Sequence, residues 1–137
     1  MIVVDASALT DFLLGRPEAL EGLADELGHR EHEPLHAPEL VEPETLNALR
    51  RLVSAGHVSG RRATEALEDL ASANLRCYPH APLRDRVWEL RHELTAYDAT
   101  YLALAEALGE SVLVTSDAAL AERGRASLGD DRVLQLD

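Results

Sequence analysis

Ile2-Val3-Val4-Asp5-Ala6-Ser7 decides the fold, and Val112-Leu113-Val114-Thr115-Ser116-Asp117 answers it near the other end of the chain. Each is a short apolar, β-branched run that leads into an acid. Such runs are too short for a helix and suit strands buried on both faces of a parallel sheet. Working outward, residues 6–14 are rich in alanine and leucine and stop at Gly15, which predicts a helix with a glycine terminator. Pro17 opens a second helical stretch to about residue 27, closed by Gly28. Residues 28–34 are polar and read as a loop, and residues 35–37 form a brief strand before Pro38. From 39 to 55, Leu40, Val41, Leu46, Leu49, Leu52 and Val53 recur at helical spacing, with Gly56 as the stop. Residues 60–73 repeat the pattern through Ala63, Ala66, Leu67 and Leu70. A strand at 75–78 precedes helices at 82–94 and 97–108. The strand at 111–115 then leads to a helix at 117–123 and a last strand at 132–136.

That alternation predicts an α/β three-layer sandwich: a short, parallel, five-stranded sheet with helices on both faces. No linker, repeat or low-complexity segment interrupts it, so residues 1–137 are expected to form one domain. No apolar run approaches the ~20 residues that span a bilayer. The first residues lack the basic region and cleavage site of a signal peptide. The lone Cys77 suits a reducing compartment. A cytoplasmic protein is expected. With 25 acids against 13 bases, the net charge is -12, which argues against broad, sequence-blind binding to nucleic acid. A local basic patch and metal ions remain compatible with a nuclease. Every base is arginine, whose guanidinium fork favours phosphate and carboxylate.

Ligands of open parallel sheets sit beyond the carboxyl ends of the strands. Asp5 and Asp117 lie at strand ends, while Glu44 and Asp98 lie near helix starts, so all four acids are placed to crowd one sheet edge. Each has a structural alternative. Asp5 and Asp117 suit helix N-caps, and Glu44 and Asp98 suit first-turn acids that complement a helix dipole. Joint placement is what points to chemistry. Four carboxylates in one pocket repel unless a cation neutralises them. All-oxygen donors select a hard ion such as Mg²⁺ or Mn²⁺, and such ions recruit phosphate oxygens.

The residues around these acids resemble the PIN-domain family. Ile2-Val3-Val4-Asp5-Ala6-Ser7 is similar to its opening. His36-Ala37-Pro38-Glu39-Leu40-Val41-Glu42-Pro43-Glu44-Thr45-Leu46-Asn47-Ala48-Leu49-Arg50-Arg51 is similar to its second signature, Tyr97-Asp98-Ala99-Thr100-Tyr101-Leu102-Ala103-Leu104-Ala105-Glu106 to its third, and Val114-Thr115-Ser116-Asp117 to its fourth. Within the family, the chain looks like the VapC toxins of VapBC toxin–antitoxin pairs. The resemblance implies a Mg²⁺-dependent endoribonuclease, with Mn²⁺ as a substitute, that leaves a 5′-phosphate and a 3′-hydroxyl. It implies an acidic metal site of Asp5, Glu44, Asp98 and Asp117, in which Asp5 and Asp98 are direct ligands. Ser7, Asn47, Thr115 and Ser116 would orient water, metal or phosphate, and Asn47 shares a helix face with Glu44 by its spacing of three. A homodimer is implied, together with a cognate VapB-like antitoxin whose C-terminal segment lies in a groove walled by Leu9, Phe12, Leu13 and the helices from 39 to 73. Pro43 departs from a helix already under way at Glu39, which it would kink.

Other features carry less. His29, His32 and His36 have a zinc-like spacing, but Pro34 breaks any common helix and no cysteine is near. Most arginines read as solvated helix faces with partners such as Glu65 and Glu68, whereas Arg50 and Arg51, beyond Glu44, are RNA-contact candidates. Trp88 is expected in the core or at a dimer interface. A haloacid-dehalogenase-type phosphatase needs a second aspartate where Ser7 stands, and a receiver domain needs a lysine this chain lacks. Dinucleotide binding lacks its glycine fingerprint. A non-catalytic PIN-fold interaction module and a metal-dependent phosphatase-type hydrolase are the remaining alternatives.

Overall fold

The central strand is β1 (Ile2–Val4), because it alone is apolar at every position and is followed at once by a helix. The computed structural model describes residues 1–28 and 32–137. Among them, β2 (Leu35–Pro38), β3 (Leu75–Tyr78), β4 (Val112–Thr115) and β5 (Val133–Gln135) complete a sheet of order β3-β2-β1-β4-β5. Every neighbouring pair is parallel, with Val3 beside His36 on one flank and Leu113 on the other. Val3, Val4, Leu113 and Val114 are fully buried. Each contributes about 1.5–3 kcal/mol through loss of apolar surface to water. The sheet turns from one direction of growth to the other between β1 and β4, and a crevice opens beyond their carboxyl ends.

The helices are α1 (Ala6–Leu13), α2 (Pro17–Leu27), α3 (Val41–Ser54), α4 (Gly60–Ser72), α5 (Arg84–Glu89), α6 (Ala96–Ala107) and α7 (Ala118–Leu128). Helix α6 lies across β1, β2 and β4, with α5 and α7 beside it. Helix α1 packs on β4 and is flanked by α2, α3 and α4. Glycine does terminate the first two helices: Gly15 and Gly28 take positive φ of 71° and 54° after α1 and α2. No helix is long and apolar enough to cross a membrane among the described residues.

Several boundaries differ from expectation, each for a local reason. Helix α3 starts at Val41, two residues later than its apolar pattern, so Pro43 falls in the first turn, where no intrahelical N–H is lost. The expected kink does not arise. The stretch expected as one helix over 82–94 is a 3₁₀ turn (Ala81–Leu83) followed by the short α5. Its inward positions are Leu83, Leu90 and Leu94. Trp88 is set off from that line and is 67% exposed, with the Arg91 guanidinium 4.6 Å from its ring centroid. It is not a core residue. Leu9, offered as a groove wall, is fully buried in the core instead. Of the three histidines, His29 lies outside the described residues, and His36 is buried with Nδ1 2.7 Å from the Tyr78 hydroxyl.

Helix α7 approaches the sheet closely at Gly124, where an added Cβ would meet Val133 and Leu113 side chains at 3.1 and 3.2 Å. Gly124→Val should therefore destabilise the protein by about 1–3 kcal/mol through overpacking. Denaturant unfolding checks this, and an unchanged midpoint would contradict the close approach.

Candidate active site

The backbone ladder carries the chain directly into Asp5, whose N–H donates to the Val114 carbonyl at 3.2 Å. Its carboxylate then starts α1. Oδ1 accepts the Ala8 N–H at 2.9 Å, the N-cap bond, and the Ser7 hydroxyl at 2.7 Å. Oδ2 accepts the Thr115 hydroxyl at 2.5 Å, which ties the ends of β1 and β4 together. Asp5 is only 4% exposed. Burial pushes its carboxyl upward, the three hydrogen bonds pull against that, and the charge of Asp117 adds to the rise.

Asp117 is the N-cap of α7. Its Oδ1 accepts the Leu120 N–H at 2.8 Å, and its own N–H donates to Thr115 Oγ1 at 2.9 Å. Thr115 thus donates to one acid and accepts from the backbone of another. Ser7 Oγ, besides donating to Asp5, accepts the Ser116 N–H at 2.9 Å. Capping does not remove either acid from the cavity: Asp5 and Asp117 each cap a helix and line it.

Glu44 and Asp98 come from helices on either side. Asp98 is the third residue of α6, whose start is capped by Thr95 Oγ1 accepting the Asp98 N–H at 3.2 Å. Glu44, in the first turns of α3, accepts the Tyr101 hydroxyl on Oε1 at 2.6 Å. Tyr101 is 1% exposed, and burial, then the Glu44 hydrogen bond and charge, holds its hydroxyl protonated far above the usual range.

Asp5, Glu44, Asp98 and Asp117 all line one cavity of about 180 Å³, together with Ser7, Ala48, Arg51 and Tyr101. The consequence is plainest at Asp98. Its carboxyl is pushed up to about 6, first by burial and then by the charges of Asp117, Asp5 and Glu44. Among the described residues, no three His, Cys, Asp or Glu side chains close tightly enough to cage an ion unaided. The donor chemistry nevertheless fits a hard divalent cation, which takes few carboxylates and keeps several waters. The strain on Asp98, set by burial and then by three neighbouring carboxylates, is what such a cation relieves.

The supporting residues divide. Ser7 and Thr115 bond Asp5 directly. The Ser116 hydroxyl instead donates to Asp11 Oδ2 at 2.8 Å. Asn47 is exposed and accepts from Arg50 Nε at 3.1 Å, and it does not line the cavity. At 100° per residue, positions 48 and 51 fall nearer the Glu44 direction than position 47 does. Ala48 and Arg51 accordingly line the cavity. Sequence reasoning missed Tyr101 and Asp11. Tyr101 had a signal, a hydroxyl three residues after Asp98 on an otherwise apolar helix, but its partner lies 57 residues away.

Comparison with known proteins agrees with this geometry. The family model described as PIN domain matches residues 2–126. A VapC ribonuclease of Mycobacterium bovis is 43% identical over 129 residues, covering 92% of this chain and 93% of that protein. Ribonuclease VapC1 of Mycobacterium tuberculosis is 41% identical over 123 residues, covering 87% of each. Among solved structures, PAE2754 from Pyrobaculum aerophilum aligns with a TM-score of 0.68 at 28% identity, covering 96% of this chain and 81% of that one.

The charge excess has a pH signature. A carboxyl whose folded pKa of about 6 exceeds the ordinary 3.8 binds more protons folded than unfolded between those values, so its contribution to stability falls as pH rises through that window. In EDTA, Asp98→Asn should raise the melting temperature over the parent protein by more at pH 7.5 than at pH 5. Excess Mg²⁺ should raise the parent more than the variant. Equal differences at both pH values would show that Asp98 is not strained by its neighbours.

Proposed function

The chain belongs to the PIN-domain family and is of its VapC type, and from that premise we propose that it is a Mg²⁺-dependent endoribonuclease, the toxin of a type II toxin–antitoxin pair. The observation that carries the proposal is the convergence of four acids from two strand ends and two helix starts on one cavity. That its relatives bear the name VapC ribonuclease supports RNA as the substrate and a VapB-like antitoxin as the partner.

Asp5 and Asp98 are the residues proposed to hold the ion directly, with Asp117 and Glu44 completing the acidic wall. A bound divalent ion would lower the pKa of an attacking water and offset charge on the phosphate. The protein's own part is orientation. Ser7 and Thr115 hold both oxygens of Asp5, and Thr115 also fixes the backbone that presents Asp117. Tyr101 occupies one oxygen of Glu44, and no hydrogen bond to the other is present among the described residues. Arg51 supplies the positive charge within reach of a phosphate, while Arg50 is engaged with Asn47. All-oxygen donors favour Mg²⁺, with Mn²⁺ as substitute. A cytoplasmic location, a single domain spanning residues 1–137 and a homodimer complete the proposal, with the exposed Trp88 a surface for the second copy.

Purified protein should cleave single-stranded RNA in Mg²⁺ to 5′-phosphorylated products, stop in EDTA, and fall to background as Asp5→Asn or Asp98→Asn. Full cleavage by Asp98→Asn would reject the site. Tyr101→Phe should cost about 10-fold in kcat or in apparent Mg²⁺ affinity, the usual range for a group that orients a ligand. An unchanged rate would make that hydrogen bond incidental.

A further inference from the structure

A second cavity opens against the acidic one and shares Ser7, Ala48 and Arg51 with it. Its volume is about 470 Å³, against about 180 Å³ for the acidic one. Only the larger falls within the roughly 300–1,000 Å³ typical of ligand sites. The character of the wall also changes. Beyond the shared residues come Arg16, from the turn between α1 and α2, and His57, just past the end of α3. Both are exposed. We propose that this cavity holds the RNA strand flanking the scissile phosphate, with Arg51, Arg16 and His57 contacting its backbone. The proposal rests on the nuclease reading and extends it from the acids to the path of the substrate.

The charge pattern favours this occupant. A protein of net charge -12 repels a polyanion over most of its surface, so affinity must come from a few placed cations. Arg51 stands at the boundary between the two cavities, and no hydrogen bond or ion pair involves its guanidinium among the described residues. Arg16 pairs with Asp11 at 3.3 Å, but half of its side chain is exposed, and such surface pairs are weak and exchange readily. Asp11 is the opposing anion in this cavity. Its other oxygen accepts the Ser116 hydroxyl at 2.8 Å, so its charge is shared between two donors already in place. A strand leaving the acidic cavity past Ser7 therefore meets Arg51 at the boundary and Arg16 in the larger cavity, and the guanidinium fork matches phosphate oxygens.

The test uses the full chain and a 5′-labelled single-stranded oligoribonucleotide, with binding followed by fluorescence anisotropy in EDTA, where cleavage is off. Arg51→Ala and Arg16→Ala should each weaken binding about 5-fold or more and reduce the slope of log Kd against log salt by about 0.7 for each phosphate no longer neutralised. His57→Gln should also weaken binding, and Arg61→Ala, at the start of α4 and lining neither cavity, should change nothing. Arg16 does not line the acidic cavity, so its effect separates a backbone contact from a disturbance of the carboxylates. A Mg²⁺-induced thermal shift equal to that of the parent shows that the acidic site is intact in each variant. If Arg51→Ala and Arg16→Ala bind with the parent's affinity and salt slope while the parent cleaves RNA, the strand path is wrong and the nuclease reading stands. If the parent neither binds nor cleaves RNA, both fall.

Discussion

The bond network around the Asp5 carboxylate is the constraint on which the rest depends. One buried side chain accepts the Ala8 N–H in the first turn of α1, the hydroxyl of Ser7 and the hydroxyl of Thr115. It joins the two central strands at their carboxyl ends, so the angle at which α1 leaves the sheet and the position of the acidic cavity are set together. A carboxylate buried this deeply is costly unless its oxygens are satisfied. Here they are satisfied by groups that also shape the site. The hydrogen bonds that stabilise the fold at this point also orient the carboxylate that lines the acidic cavity.

Charge works in the opposite sense. Three more acids face the same small cavity, and burial, followed by the charges of Asp117, Asp5 and Glu44, pushes the Asp98 carboxyl up to about 6. Functional sites are commonly where ionisable groups are strained in this way. The fold offsets the strain with a fully buried central sheet and with α6 laid across β1, β2 and β4. A cation would relieve it locally. The same arrangement makes bound ion and folded stability two views of one equilibrium.

The acidic cavity is small and its neighbour is large, and the division suits a reaction on a polymer. Bond-breaking groups need close, dry placement, whereas a strand needs a longer, wetter path with a few positive contacts. Arg51 sits where the two requirements meet.

Much of this was legible in the sequence. Short β-branched runs ending in acids, glycines after helical stretches and alternation of the two periods determined five parallel strands and the placement of Asp5, Glu44, Asp98 and Asp117 at one sheet edge, because each signal is local and its geometry follows from backbone sterics. What only the tertiary structure decided concerns partners that meet across the chain. Tyr101 finds Glu44 across 57 residues, and Thr115 finds Asp5 across 110. Spacing along α3 suggested Asn47, yet the direction from which the sheet approaches that helix selects Ala48 and Arg51. Trp88 read as core or as dimer interface, and where α5 ends and turns decides that it faces outward. Local propensity specifies where elements begin and end. Which face of an element looks into a cavity is set by packing against residues distant in the chain, and no periodicity encodes it.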